Sequence, residues 1–447
     1  MITGIEVNGF KSLNNFSLDL HPGLNVMVGP NGSGKTNVVQ FFEFLSYLVR
    51  GDVSEAVSRA GGAGSIFRRV GNQYEDSISA TIYGCSPEEP NKYITYSYCF
   101  EILFPKEIES IVYRRQSLRM TRTKVFTNAA AQRDGIFSWQ FAVEEEYGEK
   151  GTPKIKVNAF DYKFAQMPMI ERRPKTMKGL ENVLNRITST SPHESLINVL
   201  LRYTYQYGIL YRDLARGDTY NIVPSRVKVP EDSAKSPGIE KDGSGLASTL
   251  YAIRRNRLPT SEHVYWYPLL PSRPIMDTKI SLNDVERYLA LANESIAHID
   301  VHNDPFNNQL KVTLEVSSGP YNASLPLASM SDGTVKWLAL TAAVLTSSSI
   351  FSLEEPENYL HPLMQSQILK IMREILFSRK RYAFTIMTTH SETVLNGCQP
   401  NELIVVSLEN GSTVARRCAN ADDLKKEIDR TGFGLGYYYL AGAVTNE

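Results

Sequence analysis

The chain has 447 residues, with 48 lysines and arginines balanced by 48 aspartates and glutamates. That length holds one large domain with insertions or a few ordinary ones, and the zero formal charge gives no bulk reason to expect nucleic acid, membrane or acidic ligands. The four cysteines, Cys85, Cys99, Cys398 and Cys418, form no CxxC pair and have no histidine at ligand spacing, which disfavours a disulfide framework or structural zinc. Met1-Ile2-Thr3-Gly4-Ile5-Glu6 has no basic stretch leading into an apolar one, and no run approaches the roughly 20 apolar residues of a membrane helix. The expectation is a soluble cytoplasmic protein without membrane contact.

In chain order, Ile2 to Val7, Phe16 to Leu20 and Leu24 to Val28 read as three short strands, the last running into a glycine-rich turn. Val38, Val39, Phe41, Phe42, Leu45 and Leu48 then mark a helix over 36–49. Apolar runs at Ile78 to Tyr83, Tyr93 to Leu103, Phe137 to Val143 and Lys154 to Val157 predict an antiparallel sheet, and 176–215 turns helical again. The proline, serine and glycine content between Ile222 and Gly245 predicts an exposed connector. Helices are expected over 245–257, 281–292 and 334–345, strands over 309–316 and 321–325, and short buried strands over 350–353 and 383–388, of the kind central to an α/β sheet.

The strongest chemical signal is Gly29-Pro30-Asn31-Gly32-Ser33-Gly34-Lys35-Thr36, a GxxxxGK[ST] phosphate loop set between a predicted strand and a predicted helix. Its glycines let successive N–H groups converge on a β-phosphate, Lys35 reaches the β- and γ-phosphates, and the Thr36 hydroxyl ligates magnesium. Ile350-Phe351-Ser352-Leu353-Glu354-Glu355 is an apolar strand ending in two carboxylates, read either as a solvated turn or as a metal-serving Glu354 beside a water-polarising Glu355. His390, after another apolar strand, is either an ordinary hydrogen-bonded residue or a γ-phosphate sensor. Ser331-Asp332-Gly333-Thr334 is either a plain N-cap or an anion site facing a γ-phosphate from another subunit.

Phosphate loop, long insertion, Ser-Asp-Gly-Thr, carboxylate strand and strand-end histidine, in that order, resemble the ABC-type ATPase heads of the SMC, RecF and OLD families over residues 1–83 and 245–447, most of all the small RecF/OLD-like ATPases of bacterial anti-phage operons. Phe10-Lys11-Ser12 is similar to the FKS element of such heads, Asn37 follows the loop as in SMC-like heads, and Glu354-Glu355-Pro356-Glu357-Asn358-Tyr359-Leu360-His361-Pro362 is similar to their carboxylate strand and the loop after it. Gly432-Phe433-Gly434-Leu435-Gly436-Tyr437 resembles their glycine-aromatic tails.

The resemblance implies an α/β fold, a P-loop NTPase head with a mixed central sheet, an antiparallel β subdomain and an inserted helical segment, divided as 1–83, an insertion 84–244, and 245–447. It implies ATP and Mg²⁺, with nucleotide contacts from Lys11, Ser12, Asn31, Gly32, Ser33, Gly34, Lys35, Thr36 and Asn37, and metal contacts from Thr36 and Glu354. Catalysis falls to Lys35, Glu355 and His390, and Ser331 and Gly333 touch the γ-phosphate held by the opposite protomer of a homodimer that can assemble further. Glutamate at 354 stands where most ABC heads have aspartate, which implies a longer or water-mediated metal contact and slow hydrolysis; Gln73 is a weak candidate for the glutamine lid. The segment after His390 is shorter than the Toprim nuclease domain of OLD proteins, so the expected role is the ATPase subunit of a two-component defence system with a separately encoded effector nuclease. The alternatives are a RecF-like DNA repair ATPase, for which Tyr113-Arg114-Arg115, Arg119, Arg122 and Lys124, then Arg172, Arg173 and Lys175, and Arg254, Arg255 and Arg257 offer basic clusters, and an ATP-bound scaffold with little turnover.

Overall fold

The computed structural model describes residues 1–104, 110–134, 137–147, 153–164, 174–187, 192–201, 206–215, 217–256, 280–347, 350–378 and 383–444. Arg172, Arg173 and Arg257 of the expected basic clusters lie outside them. The chain forms two compact units, one of Met1–Pro22, Gly29–Gly217 and Ile404–Arg416, the other of Gly23–Val28, Asp218–Leu403 and Arg417–Glu447.

The first unit is organised by a seven-stranded antiparallel sheet, with Ile2–Asn8 between Phe16–Asp19 and Ser77–Glu89, followed outward by Lys92–Leu103, Val112–Thr123, Phe141–Tyr147 and Pro153–Phe160. Strand alternation puts Ile5, Val7, Ile78, Ile82, Tyr98, Phe100 and Leu118 on a buried face, because residues two apart share one side of the pleat. Ser77–Glu89 runs unbroken through residue 84, so the N-terminal strands and the β-rich segment share one sheet. The helix Lys35–Arg50 is anchored through Phe41 and Phe44, whose rings lie 5.4 and 5.5 Å from that of Phe10. Each fully buried ring of this kind stabilises by about 2–3 kcal/mol.

The strand Val112–Thr123 is a correction to the sequence reading, which saw only a basic run there. Its arginines face carboxylates on neighbouring strands and turns: Arg114 pairs with Glu101 at 3.2 Å, Arg115 with Glu144 and Arg122 with Glu88. Cross-strand pairing masked the period-two pattern, because charged residues on the open face carried the signal that the buried Tyr113, Leu118 and Met120 share with them.

The second unit has a parallel sheet ordered Asp218–Tyr220, Ile350–Glu354, Phe384–Thr388, Gly23–Val28. Its middle strands are buried on both faces, as parallel strands are, and read as continuous apolar runs. A separate antiparallel sheet joins Ile296–Asp304, Gln309–Ser318 and Tyr321–Pro326; the first of these strands was not expected from sequence. The helix Asp332–Thr346 is buried on nearly every side.

The segment 222–245 is packed, contrary to expectation. Ile222 and Val227 are buried, Glu231–Asp232 pairs with Gln309–Ser318, and the buried Glu231 carboxylate accepts the N–H groups of Gly245 and Ser248 at the start of the helix Leu246–Arg254. Turn-forming residues dominate the composition because Gly243 and Gly245 take φ of +91° and +89°, while two apolar anchors and one capping carboxylate do the packing. Among the described residues, no helix is long and apolar enough to cross a membrane.

Candidate nucleotide site

In the first unit, the phosphate loop follows Val28 and leads into Lys35–Arg50. Gly32 and Gly34 have φ of +80° and +99°, the left-handed region that only glycine adopts freely. A Cβ on Gly34 would collide with Thr413 Oγ1 at 1.9 Å, and one on Gly29 with the Val406 carbonyl at 2.0 Å, so both are required for close approach. The helix opens on Gly34 with no side-chain cap, which leaves the first-turn N–H groups and the positive end of the helix dipole to an anion. The Lys35 ammonium reaches the carbonyls of Gly29 at 2.8 Å and Pro30 at 3.1 Å, Thr36 is exposed on the first turn, and Asn31 is exposed at the loop tip. The buried Ser33 hydroxyl has no hydrogen-bond partner among the described residues.

Two other segments brace the loop. Ser12 Oγ lies 2.6 Å from Thr413 Oγ1 and accepts from Asn37 Nδ2 at 2.7 Å; Thr413 donates its N–H to Ser12 O and its hydroxyl to Ser33 O. Thr413 sits just beyond a hairpin turn at Asn410-Gly411, both with positive φ as a tight two-residue turn demands. Lys11, itself at φ +51°, donates to Gln40 Oε1 at 2.6 Å. The sequence brought forward Lys11, Ser12 and Asn37 but not Thr413 or Gln40, whose separation along the chain leaves no local signal. Gln73 lies exposed in the short hairpin Arg69–Val70 with Gln73–Tyr74.

In the second unit, Glu354 closes its strand in a buried position opposite Thr388, and the chain then turns sharply. Glu355 has φ +42° and Tyr359 φ +67°, two left-handed non-glycine residues within one turn, each strained by about 1–2 kcal/mol. The Glu355 N–H donates to the Thr388 carbonyl and hydroxyl at 3.1 and 3.2 Å, which aims its carboxylate out of the sheet end. Asn358 Nδ2 donates to Glu355 Oε2 at 2.9 Å, and His390 Nε2 lies 3.6 Å from Glu355 Oε1. Glu357, buried, accepts from the Thr389 hydroxyl at 2.7 Å and the His390 N–H at 2.9 Å.

Ser331 caps the helix Asp332–Thr346, its hydroxyl accepting the Thr334 N–H, and a Cβ on Gly333 would stand 3.0 Å from Tyr359 O. The segment Ser331 to Gly333 thus packs on the turn that carries Glu355. Asp332 pairs with Lys228 at 2.7 Å. One turn into the helix, Lys336 is 1% exposed, donates to the Glu355 carbonyl at 3.3 Å and stands 5.5 Å over the Tyr359 ring. Burial lowers its pKa to about 8, against the opposing pull of Glu357 and Glu355. Neither Lys336 nor Glu357 was singled out from sequence, although a lone lysine in an otherwise apolar helix was there to be seen.

Two family models match this chain: "AAA ATPase domain" over residues 1–156, which contains the phosphate loop, and "AAA domain, putative AbiEii toxin, Type IV TA system" over 239–396, which contains Ser331, Glu354, Glu355 and His390. DNA replication and repair protein RecF of Psychromonas ingrahamii is 46% identical over 44 residues, and that of Acidothermus cellulolyticus 43% identical over 47 residues.

The chain is a P-loop ATPase.

Those RecF matches cover 10% of this ATPase and span only 12–13% of the length of the RecF proteins. Among solved structures, an SMC head bound to the C-terminal winged-helix domain of ScpA aligns over 94% of this ATPase and 99% of that chain, at 13% identity and a TM-score of 0.47. An SMC head with an extended coiled coil from Pyrococcus furiosus, bound to the C-terminal domain of ScpA, aligns over 96% and 99%, at 14% identity and a TM-score of 0.42. Those likenesses are loose.

Proposed function

We propose that this ATPase is the nucleotide-switched subunit of an anti-phage defence system, in which ATP closes a homodimer that holds or releases a separate effector nuclease. The observation that carries the reading is the strained Glu355 turn, packed under Ser331 to Gly333 and facing His390. An acid held in such a posture costs folding energy, which is tolerated where chemistry needs the orientation. The toxin–antitoxin description of the family matched over 239–396 supports a role in defence.

ATP fits the phosphate loop on three observations: glycine-only positions against tight neighbours, an uncapped helix start, and a buried Ser33 hydroxyl open to an acceptor. Magnesium takes few protein ligands when phosphates complete its shell; Thr36 on the phosphate loop and Glu354 at its strand end are the residues that would serve it, and it would supply charge neutralisation on the transferred phosphoryl group. Lys35 binds the phosphates, Asn31, Gly32, Ser33 and Gly34 offer the loop N–H groups, and Lys11, Ser12 and Asn37 flank them. Glu355 orients the attacking water, with His390 beside it as the γ-phosphate sensor, and Ser331 and Gly333 read the γ-phosphate held by the other protomer. Within this reading the chain divides as the two parts of the ATPase, 1–83 and 245–447, with the β-rich and helical region 84–244 inserted between them.

Direct DNA binding in the manner of a RecF-like repair ATPase is the second reading, favoured by the local RecF matches. The carboxylates beside Arg114, Arg115 and Arg122 weaken its electrostatic support. The test is hydrolysis by the whole protein with and without double-stranded DNA, together with its mass with and without ATP. ATP-dependent dimerisation without DNA stimulation supports the switch; salt-sensitive stimulation by DNA replaces it with the repair reading.

A further inference from the structure

The helix that starts at Ser331 meets the turn that bears Glu355 at two backbone carbonyls of the turn, besides the Tyr359 ring under Lys336. Gly333 lies close against the Tyr359 carbonyl, where a Cβ would stand a tight 3.0 Å away. Lys336 reaches the Glu355 carbonyl, which also accepts the Asn358 N–H at 3.2 Å. That one oxygen therefore receives a buried cation and the hydrogen bond that closes the turn.

Burying an ammonium costs several kcal/mol unless its surroundings compensate. The charged groups around this one are Glu355 and Glu357 on the turn, with the Tyr359 ring beneath it, while Asp332, one turn back on its own helix, is engaged by Lys228. The remainder of the helix, Val335 and Trp337 to Ala343, is apolar or small and buried, so a methionine would fit the site without the desolvation penalty. A lysine kept where an apolar side chain serves stability as well or better is one used for something else.

We propose that Lys336 is the positioning residue that couples the Ser331 segment to Glu355, its ammonium fixing the Glu355 carbonyl so that the left-handed turn keeps the carboxylate aimed toward His390. Because Gly333 and Lys336 sit on one rigid helical turn, whatever occupies the Ser331 segment is transmitted to the Glu355 peptide through this contact. The proposal rests on the reading that Glu355 orients the attacking water.

The test uses the full chain with Lys336→Met, Lys336→Arg and, as reference, Glu355→Gln, following steady-state ATP hydrolysis, melting temperature, and amide hydrogen exchange over Glu355 to Asn358 without nucleotide. Lys336→Met is expected to lower kcat by about tenfold to a hundredfold, the usual effect of misplacing a catalytic group by about 1 Å. Its KM for ATP stays within about twofold, its melting temperature is unchanged or higher, and its Asn358 amide exchanges faster. Lys336→Arg restores most of the rate. Wild-type kcat in Lys336→Met, a rate loss matched by a lower melting temperature, or failure of that variant to fold overturns the proposal. If Glu355→Gln hydrolyses ATP at the wild-type rate, the role of Glu355 falls, while exchange at Asn358 still decides whether Lys336 holds the turn.

Discussion

His390 Nε2 lies 3.6 Å from Glu355 Oε1, although the two are 35 positions apart and on the ends of adjacent parallel strands. Their approach is imposed by backbone bonds. The Glu355 N–H is tied to Thr388, and the His390 N–H to the Glu357 carboxylate. A water molecule between the imidazole and the carboxylate would meet groups whose directions are already fixed.

Replacing Glu355 by glutamine keeps the Asn358 contact and removes the charge that polarises water. ATP hydrolysis should fall by about a hundredfold or more, with ATP binding retained. Under the proposed switch the dimer then accumulates with ATP, measurable as a doubled mass in light scattering. Unchanged turnover would remove Glu355 from the chemistry.

Gly34→Ala should abolish nucleotide binding without unfolding the sheet. Its φ of +99° and the 1.9 Å approach of Thr413 Oγ1 together cost about 1–3 kcal/mol, spent on reshaping the phosphate loop. Fluorescent ATP-analogue titration checks the binding, and far-ultraviolet circular dichroism the fold. Thr413→Val, which deletes the hydroxyl bonds to Ser12 and Ser33, should weaken binding by a smaller factor, about tenfold or less.

Glu357→Gln tests the support beneath His390. The amide keeps one acceptor but loses the charge-assisted bonds to the Thr389 hydroxyl and the His390 N–H, for a loss of about 1–3 kcal/mol in urea unfolding. The kcat should fall while KM holds, because the proposed phosphate contacts are those of residues 29–36. A rise in KM with kcat intact would contradict the placement.

Lys336 gives the pH dependence a definite sign. Its folded pKa of about 8, lowered chiefly by burial, lies below the unfolded value of about 10.4, so between them the unfolded chain binds more protons and stability rises with pH. Below about pH 8 both states are protonated and the penalty is complete. Lys336→Met should therefore exceed wild type by about 1–3 kcal/mol at pH 7, the gap closing towards pH 10. Urea unfolding at pH 7, 9 and 10 measures it, and a constant gap would rule out the assignment.

The phosphate loop, the carboxylate strand and the helix start at Ser331 were all readable, because each is contiguous and its chemistry requires particular residues at fixed short spacing. The strand-end position of His390 followed from the apolar run before it. By contrast, Val112–Thr123 was hidden, since arginines on the open face of a sheet look like a basic patch until Glu88, Glu101 and Glu144 are brought beside them. The 222–245 segment was misread because Glu231 does its work on Gly245 and Ser248, beyond any local window.

Sequence alone determined the phosphate-loop backbone at 29–36, since a P-loop is one unbroken stretch whose glycines are dictated by local φ and ψ. Only the tertiary structure decided what surrounds that loop and what steadies the acid. Thr413 reaches Ser12 and Ser33 from a hairpin near the far end of the chain, and Lys336 reaches Glu355 from a separate helix. The reason is physical: hydrogen bonds and desolvation depend on distances in space, which parallel pairing and helix docking set between residues that have no fixed spacing along the sequence.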